Sequence, residues 1–490
     1  MSHSLELRTQ LEYGKVPFGD KREVHLLVTL EGRKLDSSKR KPLTIAVRLD
    51  CSGSMGEEHG RKLDYAKRSL LKLIEHLTDQ DRLSVSGFSD EVFSVVPMGL
   101  MTAEAKLKAK AEVEKLRPLA STNLSGATLD AYSDLKDVSG DVIRAFLFTD
   151  GLPTAGETDR SRLVAIAGQK PGSSGLTAFG YGIDHDPELL ASMAKAGGGN
   201  FYFVKTPDQC PGFFGRELGG LLTLVAQGIK IKVKAHAEHK ILEVLNDLDV
   251  KSNDQETEAV ISVDDVYSEE KRKIVLKLQL PETTKAVGVR PCKVCDVEIS
   301  YQDVLANEPR TAEAAVKVEY VEKDEADKKP NKEVEEQIAL IKAAEAQEEA
   351  IKLADQGDLT GARRVIKEAA FMCHEVGTPF ADAVGKDLDA NVMHCFESDA
   401  SYRAGGQSYA HSNRASYLRG RGATVGASHL FATSAQKGMA ADFEKGDEEL
   451  GGPEDPALDP VAPMKAQQAP VKPRVEKKSK GLSKTRKTRR

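Results

Sequence analysis

The chain has no tryptophan, and aromatic residues make up only 5% of its 490 positions. With 30% charged residues it reads as a polar, soluble protein. No apolar run reaches the ~18 residues that a membrane helix requires. The start, MSHSLELRTQ, lacks the apolar core of a signal peptide. Cysteine is scarce as well: six scattered residues do not form a secreted disulfide framework. Together these absences point to a reducing, intracellular and cytoplasmic setting. There is no cationic excess either, since 70 Lys and Arg stand against 76 Asp and Glu for a net charge of −6. Nothing in that balance drives the whole chain toward nucleic acid or an anionic membrane. Several chemical motifs are missing. No GxxxxGK[ST] occurs, the GYG at 180–182 lacks the third glycine of a dinucleotide fingerprint, and no GxSxG elbow is present.

What is there divides into segments, and 490 residues are too many for one core. Residues 1–40 hold two extended candidates, SLELRTQLEY and REVHLLVTLEG, around a turn-like GKVPFGDK. Residues 41–226 alternate strand and helix: LTIAVRLD, RLSVSGFS, EVFSVVPM, VIRAFLFTD, LTAFGYG and NFYFV are the strands, with amphipathic segments between them. That order predicts an α/β doubly wound, mostly parallel sheet with helices on both faces. EVFSVVPM follows a tight polar turn at Ser89-Asp90 and should be an antiparallel edge strand. Residues 227–322 alternate apolar and polar side chains without helices, the period of an antiparallel sheet with one wet face. The α/β unit is therefore expected to be inserted in a β-sandwich formed by the strands before and after it. Two separate β modules are the alternative.

Helical periodicity returns at 331–400, where Ile338, Ile341, Ala344, Glu348, Ile351 and Ala354 form a largely apolar stripe and Gly357 turns the chain into a second helix. This predicts a helical hairpin. Residues 401–444 begin with a Gly/Ser/Tyr-rich stretch in which Ser-Tyr recurs at 401–402, 408–409 and 416–417. It reads as a flexible linker or as a docking strip for a partner. Residues 445–490 read as a disordered basic tail, with ten Lys or Arg against Glu476 alone from Pro470 onward. The tail at 470–490 is the one segment suited to RNA, an acidic protein or an import receptor, its bland alternative being a solubilising cation.

The chemistry concentrates at the ends of two strands. LTIAVRLD ends at Asp50 and is followed by CSGSM, which carries Ser52 and Ser54. RAFLFTDG ends at Asp150, and LASTNLSG places Thr122 in a loop before a helix. If Asp50 and Asp150 end neighbouring strands, Asp50, Ser52, Ser54, Thr122 and Asp150 converge. Two carboxylates and three hydroxyls are hard oxygen donors, suited to Mg2+, or less strictly Mn2+ or Ca2+. A phosphatase nucleophile at Asp50 would want a second acid two residues on, where Ser52 stands. Cys292 and Cys295 form one CxxC, but the other candidate pairs, Cys373-His374 and His394-Cys395, lie in a different predicted module. Ordinary cysteines near a strand are expected there rather than a zinc or redox site.

DCSGSM, STN and FTDG resemble the three segments of the metal-ion-dependent adhesion site of von Willebrand factor type A domains. The pattern is Asp-x-Ser-x-Ser, a distant Thr, and a distant Asp followed by Gly, and all five positions match in order. The flanking strands and the helical pair are similar to the layout of intracellular and inter-alpha-inhibitor-like members. The resemblance implies a non-enzymatic module: the five residues hold a divalent cation, and a partner protein's Asp or Glu completes its coordination. The rival readings are a structural scaffold or self-assembling subunit with homotypic contacts, and an accessory factor for an AAA+ ATPase. No membrane partner is expected.

Overall fold

The two apolar alternations at the start of the chain pair with each other: β1 (Leu5–Leu11) runs antiparallel to β3 (Arg22–Gly32). The computed structural model describes residues 4–19, 21–35, 40–57, 61–138, 142–182, 185–283 and 291–448. The basic tail expected at 470–490 lies outside the described residues. The turn-like GKVPFGDK holds more than a turn. Its residues Lys15–Pro17 form β2, which leaves the β1–β3 sheet and pairs in parallel with Glu319–Val321 from the far end of the β region.

After β3 the chain enters the α/β unit. Its elements are β4 (Leu43–Asp50), α1 (Arg61–His76), β5 (Arg82–Phe88), β6 (Val92–Leu100), α2 (Ala103–Val113), α3 (Leu124–Leu135), β7 (Val142–Thr149), α4 (Arg160–Ala167), β8 (Gly175–Tyr181), α5 (Pro187–Ala196), β9 (Gly198–Val204) and α6 (Cys210–Leu221). The sheet runs β6-β5-β4-β7-β8-β9, parallel except for β6, which is the antiparallel edge. Strands β4, β7 and β8 are buried at every position because helices cover both faces. Arg48 breaks the apolar run of β4 yet is fully buried. It is neutralised by Asp130 at 2.7 Å and Asp134 at 2.6 Å, one turn apart on α3.

The chain then builds β10 (Leu224–Ala235), β11 (Lys240–Val244), β12 (Asp249–Ser252), β13 (Glu258–Val263), β14 (Val266–Tyr267), β15 (Lys271–Leu280), β16 (Pro291–Asp303) and β17 (Glu308–Val321). In β10, Ile229, Ile231 and Val233 are buried while Lys230, Lys232 and Lys234 are exposed, as one wet face demands. Two sheets face each other, β1-β3-β15-β11 and β12-β13-β10-β16-β17-β2, with β14 also paired to β10. Leu26, Val28 and Leu30 of β3 share one core with Ile231, Ile261 and Ile299. Because β3 pairs along its length with β15, the α/β unit is inserted in a β-sandwich between β3 and β10.

Helices α7 (Lys332–Asp355) and α8 (Leu359–Val376) form the expected hairpin, turning through Gly357 at a φ of 87°. One face of α7 packs on α8 through alanines such as Ala343, Ala350, Ala362 and Ala369. The other face sets Val334 and Ile341 on Leu27 and Val275, on the outer side of the four-stranded sheet. The chain continues through α9 (Pro379–Asp387), short α10 (Met393–Cys395) and α11 (Asp399–Ser401), then α12 (Gln407–Arg419), α13 (Val425–Phe431) and α14 (Ser434–Glu448). The Ser-Tyr stretch is therefore not a linker. Tyr402 and Tyr417 are buried and donate to Asp355 at 2.7 Å and Asp387 at 2.6 Å, so its polar side chains are satisfied inside the helical core.

Helix α6 carries Gly212, Gly215 and Gly219 on one stripe, and α14 lies directly on it. A Cβ at Gly215 would sit 2.6 Å from the Met439 carbonyl oxygen, so only a bare backbone permits this approach. Helix α14 thereby covers the α/β unit, with Phe443 in the core shared by Phe213 and Phe214. Among the described residues no helix is long and apolar enough to cross a membrane.

Candidate metal centre

Strands β4 and β7 are neighbours, with Leu49 opposite Phe148. The chain leaves β4 for β5 and β6 on one side and later returns on the other through β7, β8 and β9. The gap between β4 and β7 is thus the topological switch point, where the carboxyl ends of the strands open a crevice. Asp50 is the last residue of β4 and Asp150 directly follows β7, so both carboxylates stand at that crevice.

The loop after β4 folds back over it in a 3₁₀ turn, Gly53–Gly56. The Ser52 backbone N–H donates to Asp50 Oδ1 at 2.7 Å, and the Ser52 and Ser54 hydroxyls lie 3.0 Å apart. Ser54 Oγ donates to Asp150 Oδ1 at 2.6 Å. One chain of hydrogen bonds therefore links four of the five residues. Thr122 reaches the cluster from the α3 side. Its backbone is held by Thr154 and Ala155, whose N–H groups donate to the Thr122 carbonyl at 3.0 and 3.1 Å. A Cβ at Gly151 would lie 3.1 Å from Thr122 Oγ1 and 3.8 Å from Ser54 Oγ, which places both hydroxyls over Gly151. A larger residue there would crowd the cluster.

Two participants were not foreseen in the sequence. Thr149 Oγ1 donates to Asp50 Oδ2 at 2.6 Å, and Lys62 Nζ donates to Asp150 Oδ2 at 2.8 Å. Thr149 stands beside Asp150 in FTDG. Lys62 begins α1, where long side chains lean back toward the helix N-terminus and hence toward the loop. Both aspartates are fully buried, with Ser52, Lys62 and Thr122 nearly so. Burial pushes the Asp50 carboxyl up to about 7, against the lowering effect of its bonds from Thr149 and Ser52. A carboxylate in that position calls for a proton or a cation.

The donor set fits a hard divalent ion. Among the described residues no three His, Cys, Asp or Glu side chains are grouped to hold a metal. Any ion between Asp50 and Asp150 therefore takes its remaining ligands from hydroxyls and water, as Mg2+ does readily. Lys62 already stands against Asp150 as a cation. None of the six cysteines forms a disulfide. Burial in β16 pushes the Cys295 thiol up to about 12.

Comparison with known proteins agrees with this architecture. The von Willebrand factor type A domain family matches residues 44–216. Residues 44–216 are a von Willebrand factor type A domain. A solved structure, the von Willebrand factor type A protein from Catenulispora acidiphila, has a similar fold, with a TM-score of 0.64 and 19% identity over 79% of this chain and 90% of that one. Among curated relatives, the uncharacterized protein sll0103 of Synechocystis sp. is 24% identical over 364 residues, covering 70% of this chain and 82% of its own. Inter-alpha-trypsin inhibitor heavy chain H4 of Homo sapiens is 31% identical over 170 residues, covering 32% of this chain. E3 ubiquitin-protein ligase WAVH1 of Arabidopsis thaliana is 23% identical over 360 residues, covering 72% of this chain. The chain spans 18% of heavy chain H4 and 49% of WAVH1. Von Willebrand factor A domains are for the most part protein-interaction modules, and they commonly bind a divalent metal.

Proposed function

We propose that the protein is a metal-dependent protein-interaction module, in which Asp50, Ser52, Ser54, Thr122 and Asp150 hold Mg2+, or Mn2+ or Ca2+ in its place. The observation that carries this reading is the hydrogen-bonded chain from Asp50 through Ser52 and Ser54 to Asp150 at the β4–β7 switch point. When bound, the cation supplies an electrophilic coordination position that a partner's Asp or Glu carboxylate fills. The protein's own donors bring two carboxylates at most, so a third is not strongly repelled.

The reading is non-enzymatic. Asp50 is engaged by Thr149 and Ser52, and Asp150 by Ser54 and Lys62, so the loop that carries the donors is already held in place. An intracellular setting accords with six cysteines outside any disulfide, five of them buried. Homotypic assembly through the same site, or service to an AAA+ ATPase, would use this geometry with a different partner.

Thermal unfolding of the full chain should shift upward with MgCl2 or MnCl2, since an ion that binds the native state stabilises it. Asp50→Ala combined with Asp150→Ala should abolish the shift, and partners captured in Mg2+ should be released by EDTA. A double variant that responds to metal as the parent does would place the ion elsewhere.

A further inference from the structure

A cavity of about 100 Å3 lies where the von Willebrand factor A domain, the sandwich and the C-terminal helices meet. It sits against β9 near its amino end, at Asn200 and Phe201, whereas Asp50 and Asp150 stand at the carboxyl ends of β4 and β7. Four cations line it, Lys195, Arg216, Arg419 and Arg421, against two carboxylates, Asp247 and Glu270.

Three of the cations are already paired. Lys195 meets Asp247 at 2.6 Å, Arg419 meets Asp264 at 2.8 Å, and Arg421 holds Glu270 at 2.8 and 3.0 Å. Arg216 differs. It is 8% exposed, and its guanidinium packs 5.3 Å from the centre of the Phe213 ring. Among the described residues no carboxylate or hydrogen-bond acceptor pairs with it, and Glu444 acts on it only from a distance. Burial accordingly pulls its pKa down, although the charge itself persists. The cavity is also lined by Gln436 of α14, 9% exposed, whose Oε1 accepts from the Thr433 N–H at 3.0 Å. That bond turns its Nε2 donors away from Thr433, and among the described residues they too meet no acceptor. Two donor groups, on α6 and α14, thus line one space without a protein acceptor among the described residues.

We propose that this cavity is a second binding site, taking a small oxyanion on the Arg216 guanidinium and the Gln436 amide. A guanidinium that lines a cavity without a protein acceptor suits an oxyanion, which answers its forked donors with two charge-assisted bonds at once. The volume exceeds that of one water, whose share of the liquid is about 30 Å3, and falls below the ~300 Å3 of sites for drug-sized ligands. A phosphoryl group or a small carboxylate fits it. A bound anion would bridge α6 of the inserted domain to α14, so the ligand would strengthen the docking of the C-terminal helices. The site is independent of the metal reading.

The test is calorimetric titration and thermal unfolding of the full chain in EDTA, with sodium phosphate in one arm and sodium succinate in the other. Sodium chloride at matched ionic strength is the control. A saturable rise in Tm above the chloride control is expected in at least one arm. Response to phosphate alone identifies a phosphoryl ligand, and response to succinate alone a carboxylate. Arg216→Gln should lose the response while unfolding at no lower Tm than the parent without anion, because it removes a buried charge without a partner. Arg216→Lys keeps the charge without the fork and should bind at least about tenfold more weakly. No saturable response in either arm, or an equal response in Arg216→Gln, would overturn the proposal.

Discussion

The Lys62 ammonium, 2.8 Å from Asp150 Oδ2 and 3% exposed, puts a tethered positive charge inside the cluster proposed to hold a divalent ion. Incoming metal must share Asp150 with it or displace it. Lys62→Met should therefore act in opposite directions on two measurements. In EDTA the Tm should fall, since Asp150 stays buried with its ammonium partner gone, a loss that reaches about 3 kcal/mol where nothing else compensates. Mn2+ affinity by calorimetry should rise roughly tenfold, equivalent to ~1.4 kcal/mol, because a like charge has left the ion's neighbourhood. Unchanged Mn2+ affinity would mean that Lys62 lies beyond the ion's influence. The five candidate ligands could be named from the sequence because each stands in a short motif, four of them at strand ends and Thr122 in the loop before α3. Lys62 could not, since a lysine opening an amphipathic helix normally faces water.

At the scale of elements, the contact between α6 and α14 depends on what α6 lacks. Gly215 would meet backbone, the Met439 carbonyl, at 2.6 Å from a new Cβ, and backbone cannot swing aside as a side chain can. Gly215→Ala should destabilise the protein by about 1–3 kcal/mol despite alanine's better helix propensity. Gly438 on α14 is the control: nothing lies within 4 Å of a Cβ there, and the residue is exposed. Gly438→Ala should stabilise by about 0.5–1 kcal/mol. Urea denaturation of both variants checks the pair, and two changes of the same sign would contradict the packing argument. Close approach also explains why the composition of 401–444 misled: a Cβ at Gly406 would meet the Cys395 carbonyl oxygen at 2.8 Å, and Ser416 Oγ donates to the Ser412 carbonyl. Glycine and serine usually signal a flexible chain, but here they permit close helix approach and place hydroxyls near buried acceptors.

In the molecule as a whole, the three parts are joined by charge as well as by apolar burial. Arg421 follows α12 and reaches Glu270 of the sandwich and Asn200 Oδ1 of the inserted domain, with its guanidinium 4.5 Å above the Tyr267 ring. Arg144 on β7 meets Asp265 at 2.7 Å, and Arg419 donates to the Gly199 carbonyl at 3.0 Å. Burial opposes the charge on Arg421, but Glu270 and Asp264 outweigh it and hold its pKa well above the ordinary arginine value. Arg421→Ala leaves Glu270 buried without its bidentate partner and should cost about 3–5 kcal/mol. Limited proteolysis should then cut first after α9, releasing α12–α14 before the sandwich is attacked. A cleavage pattern identical to the parent's would show that apolar contacts alone hold the C-terminal helices.

The sequence by itself determined the inserted domain, its strand order of appearance, its antiparallel edge and the two aspartates at its strand ends. These rest on hydrophobic periods of two and 3.6 and on motifs a few residues long, all local properties of the chain. It also made the insertion an expectation, because two alternating β regions flank a unit of another period. Tertiary structure alone decided the rest. Only folding pairs β3 with β15 some 240 residues later and carries β2 out of its own hairpin to join β17. Only folding sets Lys62 on Asp150, Tyr417 on Asp387, and Arg216 beside a cavity where, among the described residues, no acceptor pairs with it. Burial of apolar groups follows a local pattern, whereas the satisfaction of a buried polar group depends on a partner from anywhere in the chain.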